Sequence, residues 1–163
     1  MPRKEFSIYL PMATSLKEFE EVLSHCKASI GYRPMKDEPS YRGAKFLFPI
    51  LKKELRLPSD KKSDPLKWAA RCAELYQDGR VCIFVPGQRF DVYGTRHGRG
   101  GGWYDRFLSA VPRSWLRIGV TDTSRLYLYP IKKQSWDEPV DWIMVQSSER
   151  WRVYKTGARV DSE

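Results

Sequence analysis

Residues 80–111 read RVCIFVPGQRFDVYGTRHGRGGGWYDRFLSAV and contain three kinds of sequence in succession. The run Arg80–Val85 is rich in apolar and β-branched residues, which predicts a short buried strand that ends at Pro86. Residues 87–102 are polar and dense in glycine, which predicts a long loop. The stretch Trp103–Val111 then predicts a helix, because its apolar residues recur at helical spacing.

The pattern continues on both sides of this stretch. Before it, Asp64 can cap a helix whose first residue is Pro65, and Gly79 suits its end. After it, short strands are predicted at Leu116–Val120, Leu126–Tyr129, Trp142–Val145 and Trp151–Tyr154. Helix and strand alternate, which favours an α/β fold over a β-sandwich or a helical bundle.

The N-terminal third is predicted to begin with a helix near Ser15, with Thr14 or Ser15 as its N-cap. Apolar residues at spacings of three and four extend this prediction to Ile30, and Gly31 and Pro34 then break the helix. Residues 43–55 suit either a helix or an irregular segment, because Pro49 fits only a first turn or a kink. Residues 56–64 predict a loop.

Composition describes a small, basic and well-packed chain. The 163 residues are 41% hydrophobic and 13% aromatic, with 29 basic against 20 acidic side chains, a net charge of +9. This length predicts a single domain over residues 1–163, and the aromatic content excludes a disordered chain. The charge favours an anionic partner, which a nucleotide, a nucleic acid or a membrane surface would each supply.

Several classes of protein are disfavoured by what the sequence lacks. The longest unbroken apolar run, Val81–Val85, is far shorter than the ~20 residues of a membrane-spanning helix. The chain has three cysteines, Cys26, Cys72 and Cys82, and their wide spacing argues against a disulfide framework or a zinc site. We therefore expect a cytoplasmic protein without a membrane partner, either a monomer or a small homo-oligomer.

Residues 94–102, here called the glycine loop, carry the clearest chemical signal. Five of these nine residues are glycine, which lowers stability unless the backbone must approach something closely. Consecutive backbone N–H groups followed by a helix N-terminus can bind phosphate, and Arg96 and Arg99 can add bidentate contacts. Asp105 follows just inside the helix, where it can act as a helix-end charge or hold Mg²⁺.

Other interpretations of the glycine loop stay open at this point. It lacks the Gly-Lys-Ser/Thr ending of a P-loop and the spacing of a dinucleotide-binding fingerprint. A flexible surface loop with solvated arginines would have the same composition. A short RNA-binding arginine–glycine segment is a third interpretation.

Residues 86–141 resemble the 5-formyltetrahydrofolate cyclo-ligase family, whose signature runs Pro-Gly-x-x-Phe-Asp and then Gly-x-Arg-Leu-Gly-x-Gly-x-Gly-Tyr-Tyr-Asp-Arg. The chain has Pro86-Gly87-Gln88-Arg89-Phe90-Asp91, followed by Gly94 and by Arg96–Arg106 at the same spacing. Asp137 and the pair Val140-Asp141 match the downstream part. Met35–Glu38 resembles the family's substrate-contacting stretch. His97 and Trp103 depart from the signature, and residues 1–80 are divergent, so the signature region is 81–146.

The resemblance implies a fold, a reaction and a set of residues. The fold is a three-layer α/β/α arrangement around a mixed, mostly parallel sheet. The reaction is the ATP- and Mg²⁺-dependent closure of 5-formyltetrahydrofolate to 5,10-methenyltetrahydrofolate, with Arg99 and Asp105 as catalytic residues and Asp105 and Asp137 as Mg²⁺ ligands. The implied ATP-binding residues are Arg96, Gly98, Arg99, Gly100, Gly101, Gly102, Trp103 and Tyr104. The implied folate-binding residues are Glu38, Arg99, Gly100, Gly101, Gly102 and Trp103.

Two alternatives to this enzyme remain. The first alternative is a non-catalytic protein that binds nucleotide or folate on the same fold. It is kept because family members open with a basic helix that has no visible match here. The second is a nucleic-acid-binding protein, which the charge of +9 suggests and the signature disfavours.

Overall fold

The computed structural model of the protein describes residues 16–58, 62–77 and 79–158. The helices are α1 (Leu16–Ser24), α2 (Phe48–Leu51), α3 (Pro65–Leu75) and α4 (Trp103–Ala110). Short 3₁₀ turns lie at Tyr41–Gly43, Lys45–Leu47 and Thr123–Arg125. The strands are β1 (Cys26–Gly31), β2 (Glu54–Arg56), β3 (Arg80–Val85), β4 (Arg89–Asp91), β5 (Arg96–His97), β6 (Leu116–Asp122), β7 (Leu126–Tyr127), β8 (Trp142–Ser147) and β9 (Arg150–Lys155).

Six of the strands form one mixed sheet in the order β2-β1-β3-β6-β8-β9. All neighbours pair in parallel except β8 and β9, which form an antiparallel hairpin at one edge. The predicted α/β fold with a mostly parallel sheet is confirmed. The strands of its centre are covered on both faces, so their sequences are nearly continuous apolar runs rather than alternating ones.

Helices cover both faces of the sheet, and the buried side chains of β3 point alternately to one face and the other. Val81, Ile83 and Val85 pack with Ala69 and Cys72 of α3 and Phe107 and Leu108 of α4 on one face. Cys82 and Phe84 point to the other face, where Phe19 and Leu23 of α1 pack with the segment around Tyr41 and Ile50. Because side chains alternate along a strand, one buried strand supplies both cores of a three-layer fold.

A second, three-stranded sheet in the order β5-β4-β7 contacts the main sheet at one point. Phe90 of β4 is fully buried, and a Cβ atom built on Gly119 of β6 would lie 2.4 Å from its ring. A glycine at position 119 therefore lets the small sheet approach the backbone of β6. This contact places the glycine loop, which includes β5, beside the ends of β3 and β6.

The helix predicted from Ser15 to Ile30 is wrong beyond Ser24. Cys26–Gly31 is a strand that pairs with β2 on one side and β3 on the other, and its last four residues are buried. The sequence of this segment fits both kinds of element, because Cys26, Ala28 and Ile30 alternate as in a strand while Cys26 and Ile30 also continue the helical spacing. Pairing with a neighbour on each edge makes the segment a strand. The predicted caps Thr14 and Ser15 lie outside the described residues.

Three other boundaries differ from the prediction. The ambiguous segment 43–55 forms 3₁₀ turns, the one-turn α2 with Pro49 in its first turn, and the start of β2, which runs into the predicted loop 56–64. The polar segment 87–102 contains β4 and β5, and the strand predicted to Tyr129 ends at Tyr127. The strands β2, β4, β5 and β7 are only two or three residues long, so pairing with neighbours rather than their own composition defines them.

The predicted start of α3 is confirmed. Asp64 caps α3 by accepting a hydrogen bond from the backbone N–H of Leu66 at 2.9 Å, and Pro65 opens the helix. The three cysteines are free thiols. Among the described residues, no helix is both long and apolar enough to cross a membrane.

The contact between Gly119 and Phe90 makes a specific stability prediction. We expect Gly119→Ala to lower the free energy of unfolding by about 1–3 kcal/mol, because the added methyl group overpacks a buried ring. Gly43→Ala is the control, since a Cβ atom there meets no described atom within 4 Å. Urea denaturation of both variants measures the difference, and equal unfolding midpoints would contradict this account of how the small sheet packs.

Candidate active site

A pocket of about 560 Å³ opens at the carboxyl ends of β1 and β3. The chain runs from β1 to β2 on one side of β1 and then crosses to β3 on the other side, so the direction of the connections reverses between β1 and β3. Open α/β sheets bind ligands in the crevice outside such a reversal. Tyr32 and Arg33 follow β1, Pro86 and Gly87 follow β3, and all four line the pocket.

The structure brings all the sequence-predicted site residues together in this pocket. Its lining includes Glu38, Arg96, Gly98, Arg99, Gly100, Gly101, Gly102, Trp103, Tyr104, Asp105 and Asp137. They come from four separate parts of the chain: the segment after β1, the glycine loop, the start of α4 and the segment before β8. Five basic against three acidic residues line the pocket, so its surface favours an anionic ligand.

The last three residues of the glycine loop require glycine for their backbone conformation. Gly100, Gly101 and Gly102 have φ angles of +99°, +80° and +65°, which side chains rarely adopt. Gly102 is the N-cap of α4 and contributes no side-chain hydrogen bond there. Within the described part of the chain, the first N–H groups of α4 therefore have no side-chain cap, and they face a pocket in which an anion could accept from them.

Arg96 is a buried cation under the glycine loop, with its side chain only 5% exposed. Its Nε donates to the carbonyl of Pro86 at 2.5 Å, its guanidinium lies 5.4 Å from the centre of the Tyr104 ring, and Nη1 is 3.6 Å from Asp105. A Cβ atom on Gly98 would come within 2.8 Å of Nη2, so glycine is needed there for space. Burial lowers the pKa of Arg96, yet an arginine stays protonated at neutral pH.

Arg99 lines the pocket and forms ion pairs with both Asp37 and Glu38. Its Nη2 donates to both oxygens of Asp37 at 2.8 and 2.9 Å, and its Nε donates to Glu38 at 3.3 Å. Arg125 also donates to Asp37, at 3.1 Å. These contacts connect the segment after β1 to the glycine loop across the pocket.

Glu38 is the buried member of that carboxylate pair. Its side chain is 6% exposed, and Oε1 accepts the backbone N–H of Met35 at 2.8 Å. This tight turn holds the carboxylate at the pocket wall. A carboxylate in this position can accept two N–H bonds from a planar ligand, as it now accepts them from Met35 and Arg99.

Asp105 and Asp137 form an acidic corner with Glu138. Asp105 Oδ1 accepts the backbone N–H of Glu138 at 3.1 Å, and Glu138 pairs with the buried Arg117 at 2.7 Å. Arg117 also donates to the carbonyl of Leu108 on α4, at 2.8 Å, so the segment with Asp137 is fixed against α4. Burial raises the pKa of the Asp105 carboxyl above its ordinary value, and the nearby charges of Asp137 and Glu138 add to the rise.

The acidic corner suits a cation that is shared with a ligand rather than one held by protein alone. Among the described residues no group of three or more His, Cys, Asp or Glu side chains forms a metal cage. Mg²⁺ is commonly bound by one or two carboxylates together with phosphate oxygens and water. Asp105 and Asp137 therefore fit Mg²⁺ where a phosphate-bearing ligand supplies the remaining oxygens, and a cation would offset the burial of the Asp105 charge.

The two aromatic residues at the start of α4 are anchored in the protein on one side. Trp103 donates from its indole N–H to the carbonyl of Ser63 at 2.9 Å and stacks on Phe107, with ring centres 5.6 Å apart. Tyr104 lies under the guanidinium of Arg96, and burial raises the pKa of its hydroxyl. These contacts fix the positions of both residues before a ligand binds, and both residues also line the pocket.

Sequence reasoning missed part of the pocket wall. Lys132, Gln134 and Trp136 come from the segment that leads to Asp137, and Trp136 is 64% exposed. His97, which differs from the signature, contacts the carbonyl of Lys132 at 2.5 Å and ties this segment to the glycine loop. The departure at position 97 was a visible signal, but only the structure shows which segment it contacts.

Comparisons with known proteins bear on the family and the fold of this chain. The family described as the 5-formyltetrahydrofolate cyclo-ligase family matches residues 38–146, about two thirds of the chain. A 5,10-methenyltetrahydrofolate synthetase from Mycoplasma pneumoniae is similar in structure, with a TM-score of 0.52, 21% identity, and coverage of 78% of this chain and 79% of that one. The Aquifex aeolicus 5,10-methenyltetrahydrofolate synthetase gives a TM-score of 0.52, 23% identity and coverage of 91% and 79%. No curated protein matches the chain.

The raised pKa of Asp105 predicts that this residue lowers the stability of the ligand-free protein. A carboxyl whose pKa is raised by folding loses stability as the pH rises from the unfolded value, ~3.9, through the folded one. We expect Asp105→Asn, which can still accept from Glu138, to melt at the same or a higher temperature than wild type at pH 7. The advantage should vanish as the pH falls towards 3.9. Thermal unfolding measured across this range tests the prediction, and a lower melting temperature at pH 7 would show that the pair with Arg96 outweighs burial.

Proposed function

Because this chain belongs to the 5-formyltetrahydrofolate cyclo-ligase family, we propose that it closes 5-formyltetrahydrofolate to 5,10-methenyltetrahydrofolate in a reaction that consumes ATP and requires Mg²⁺. One observation carries the proposal. The uncapped glycine turn, the buried Arg96, the acidic corner and Glu38 all line a single pocket of about 560 Å³. This set combines groups for phosphate, for a divalent cation and for an N–H-bearing ring.

The glycine loop and the start of α4 are proposed to bind the ATP phosphates. Gly100–Gly102 carry no side chains of their own, so they leave room in the pocket at the N-terminus of α4, where Arg106 donates to the carbonyl of Gly101 at 2.6 Å. Arg96 contributes a fixed positive charge from below, and its burial makes an anion nearby more favourable than it would be in water. Arg99 contributes a second, less buried charge, with its side chain 25% exposed.

Asp105 and Asp137 are proposed to hold Mg²⁺ beside those phosphates. Mg²⁺ neutralises charge that develops on the phosphate oxygens during phosphoryl transfer. The hydrogen bond from Glu138 to Asp105 and the clamp of Glu138 by Arg117 keep the two carboxylates at one corner of the pocket. The chain's own contribution is this fixed placement, which is prepared before the substrates arrive.

Glu38 is proposed to bind the pterin ring of the folate. A pterin presents an amino group and a ring N–H on one edge, and a carboxylate accepts from both. The backbone N–H of Met35 holds Glu38 in place for this contact. Trp103 also lines the pocket and would supply flat apolar surface for the ring.

These roles require positioning and charge neutralisation rather than a protein nucleophile. The formyl oxygen attacks the terminal phosphate of ATP and ADP leaves; N10 then closes on the activated formyl carbon, and phosphate and the N10 proton leave. The residues gain rate by aligning these groups and by stabilising charge. Arg99 is the group best placed to stabilise the negative charge that develops on the reacting phosphate, because its side chain is less buried than that of Arg96. Asp105 acts through the cation it holds.

The proposed function predicts turnover of 5-formyltetrahydrofolate only when ATP and Mg²⁺ are both present. We expect Arg99→Ala to lower kcat/KM by about 10²- to 10³-fold, since it removes a preorganised charge next to the reacting phosphate. Asp105→Ala should lower turnover at least as much and shift the Mg²⁺ dependence to higher concentration. The appearance of the methenyl-folate absorbance measures both effects.

Exposed residues outside the pocket lining provide matched controls. Arg89→Ala and Glu74→Ala remove the same kinds of side chain from exposed positions and should leave kcat/KM unchanged. Wild-type protein that is stabilised by ATP or 5-formyltetrahydrofolate but gives no product would instead identify a non-catalytic binding protein on this fold. Full activity of both the Arg99 and Asp105 variants would contradict the assignment of the site.

A further inference from the structure

Asp37 holds Arg99 from outside the pocket. Its carboxylate is 51% exposed and takes both of its short contacts from Arg99 Nη2, with a further one from Arg125. The proposed function gives Asp37 no contact with a substrate. Yet it is the closest partner of the arginine that the proposed function places against the phosphates.

The contacts of Arg99 occupy one particular edge of its guanidinium. Nε donates to Glu38 and Nη2 donates to Asp37, so the edge formed by these two nitrogens is filled by carboxylates. An arginine binds phosphate best through two parallel N–H bonds from one edge. In the ligand-free protein, the carboxylates of Asp37 and Glu38 therefore stand where two phosphate oxygens would bind.

We propose that Asp37 is a positioning residue that acts as an internal anion, holding Arg99 at the pocket mouth and competing with the phosphate of the ligand for its guanidinium. Arg99 then exchanges partners when a polyphosphate binds: its bonds to Asp37 and the Nε bond to Glu38 break, and bonds from the same edge to phosphate oxygens form. Arg125 stays with Asp37 and offsets the charge that Arg99 leaves behind. The inference rests on the proposed function only in that Arg99 contacts a phosphate group.

Binding of a polyphosphate tests the competition without any need for turnover. The probes are inorganic tripolyphosphate and ADP, titrated calorimetrically into the full chain at fixed ionic strength. Asp37→Asn should bind both about two- to five-fold more tightly than wild type, a modest gain because the ion pair that is lost is exposed to solvent. Asp37→Glu keeps the charge and should restore an affinity close to that of wild type.

A double-mutant cycle separates partner exchange from a general effect of charge. In an Arg99→Gln background, Asp37→Asn should change the affinity for tripolyphosphate by less than it does in the wild-type background. An equal gain in affinity in both backgrounds would mean that the negative charge of Asp37 repels the polyphosphate directly, without acting through Arg99. That result would overturn the proposal. So would an unchanged or weakened affinity of Asp37→Asn for both probes.

The outcomes also distinguish this inference from the proposed function. Wild-type binding of ADP with no gain in Asp37→Asn overturns the inference and leaves the proposed function standing. Binding by Asp37→Asn alone supports the inference in its strongest form. Binding by neither chain overturns both. Thermal unfolding confirms that each variant is folded, which the half-exposed position of Asp37 favours.

Discussion

A buried arginine organises the pocket of this protein. Arg96 bonds to the carbonyl that ends β3, lies over the ring of Tyr104 on α4 and sits near Asp105 one residue further on. A buried charge is costly unless its surroundings are arranged around it, and here three segments meet at one guanidinium. Gly98 must be glycine to leave room for it. The position of the glycine loop, and with it the pocket, depends on this side chain.

The charges of the pocket form two groups with different freedom. Arg96, Asp105 and Glu138 are fixed to one another and to the helix behind them, through Arg117. Arg99 and Asp37 are partly exposed and meet at the mouth. The buried group fixes the position of charge inside the pocket, and the partly exposed group is the one that we propose exchanges partners when an anionic ligand binds.

The parts that the sequence predicted correctly are those that local chemistry determines. Arg80–Val85 is apolar enough to be a central strand wherever it pairs, and Asp64-Pro65 starts a helix by capping. The signature found ten residues that line one pocket, and the resemblance of Met35–Glu38 to the family added Glu38. Cys26–Gly31 was mistaken for helix because its strand character comes from two neighbours distant in sequence. The wall around Lys132 and the partners of Arg99 were missed for the same reason, since non-local contacts define them.

The two edges of the main sheet differ in a way that bears on how copies of this chain meet. One edge is β2, only three residues long, whose Glu54 is engaged by Tyr41 and Arg42. The other is β9, which presents exposed Arg150, Arg152 and Lys155 along its length. Short edges and rows of positive charge both discourage a second strand from adding on. Among the described residues, both edges of the sheet therefore disfavour self-association that extends the sheet from chain to chain, and the net charge of +9 adds repulsion between copies.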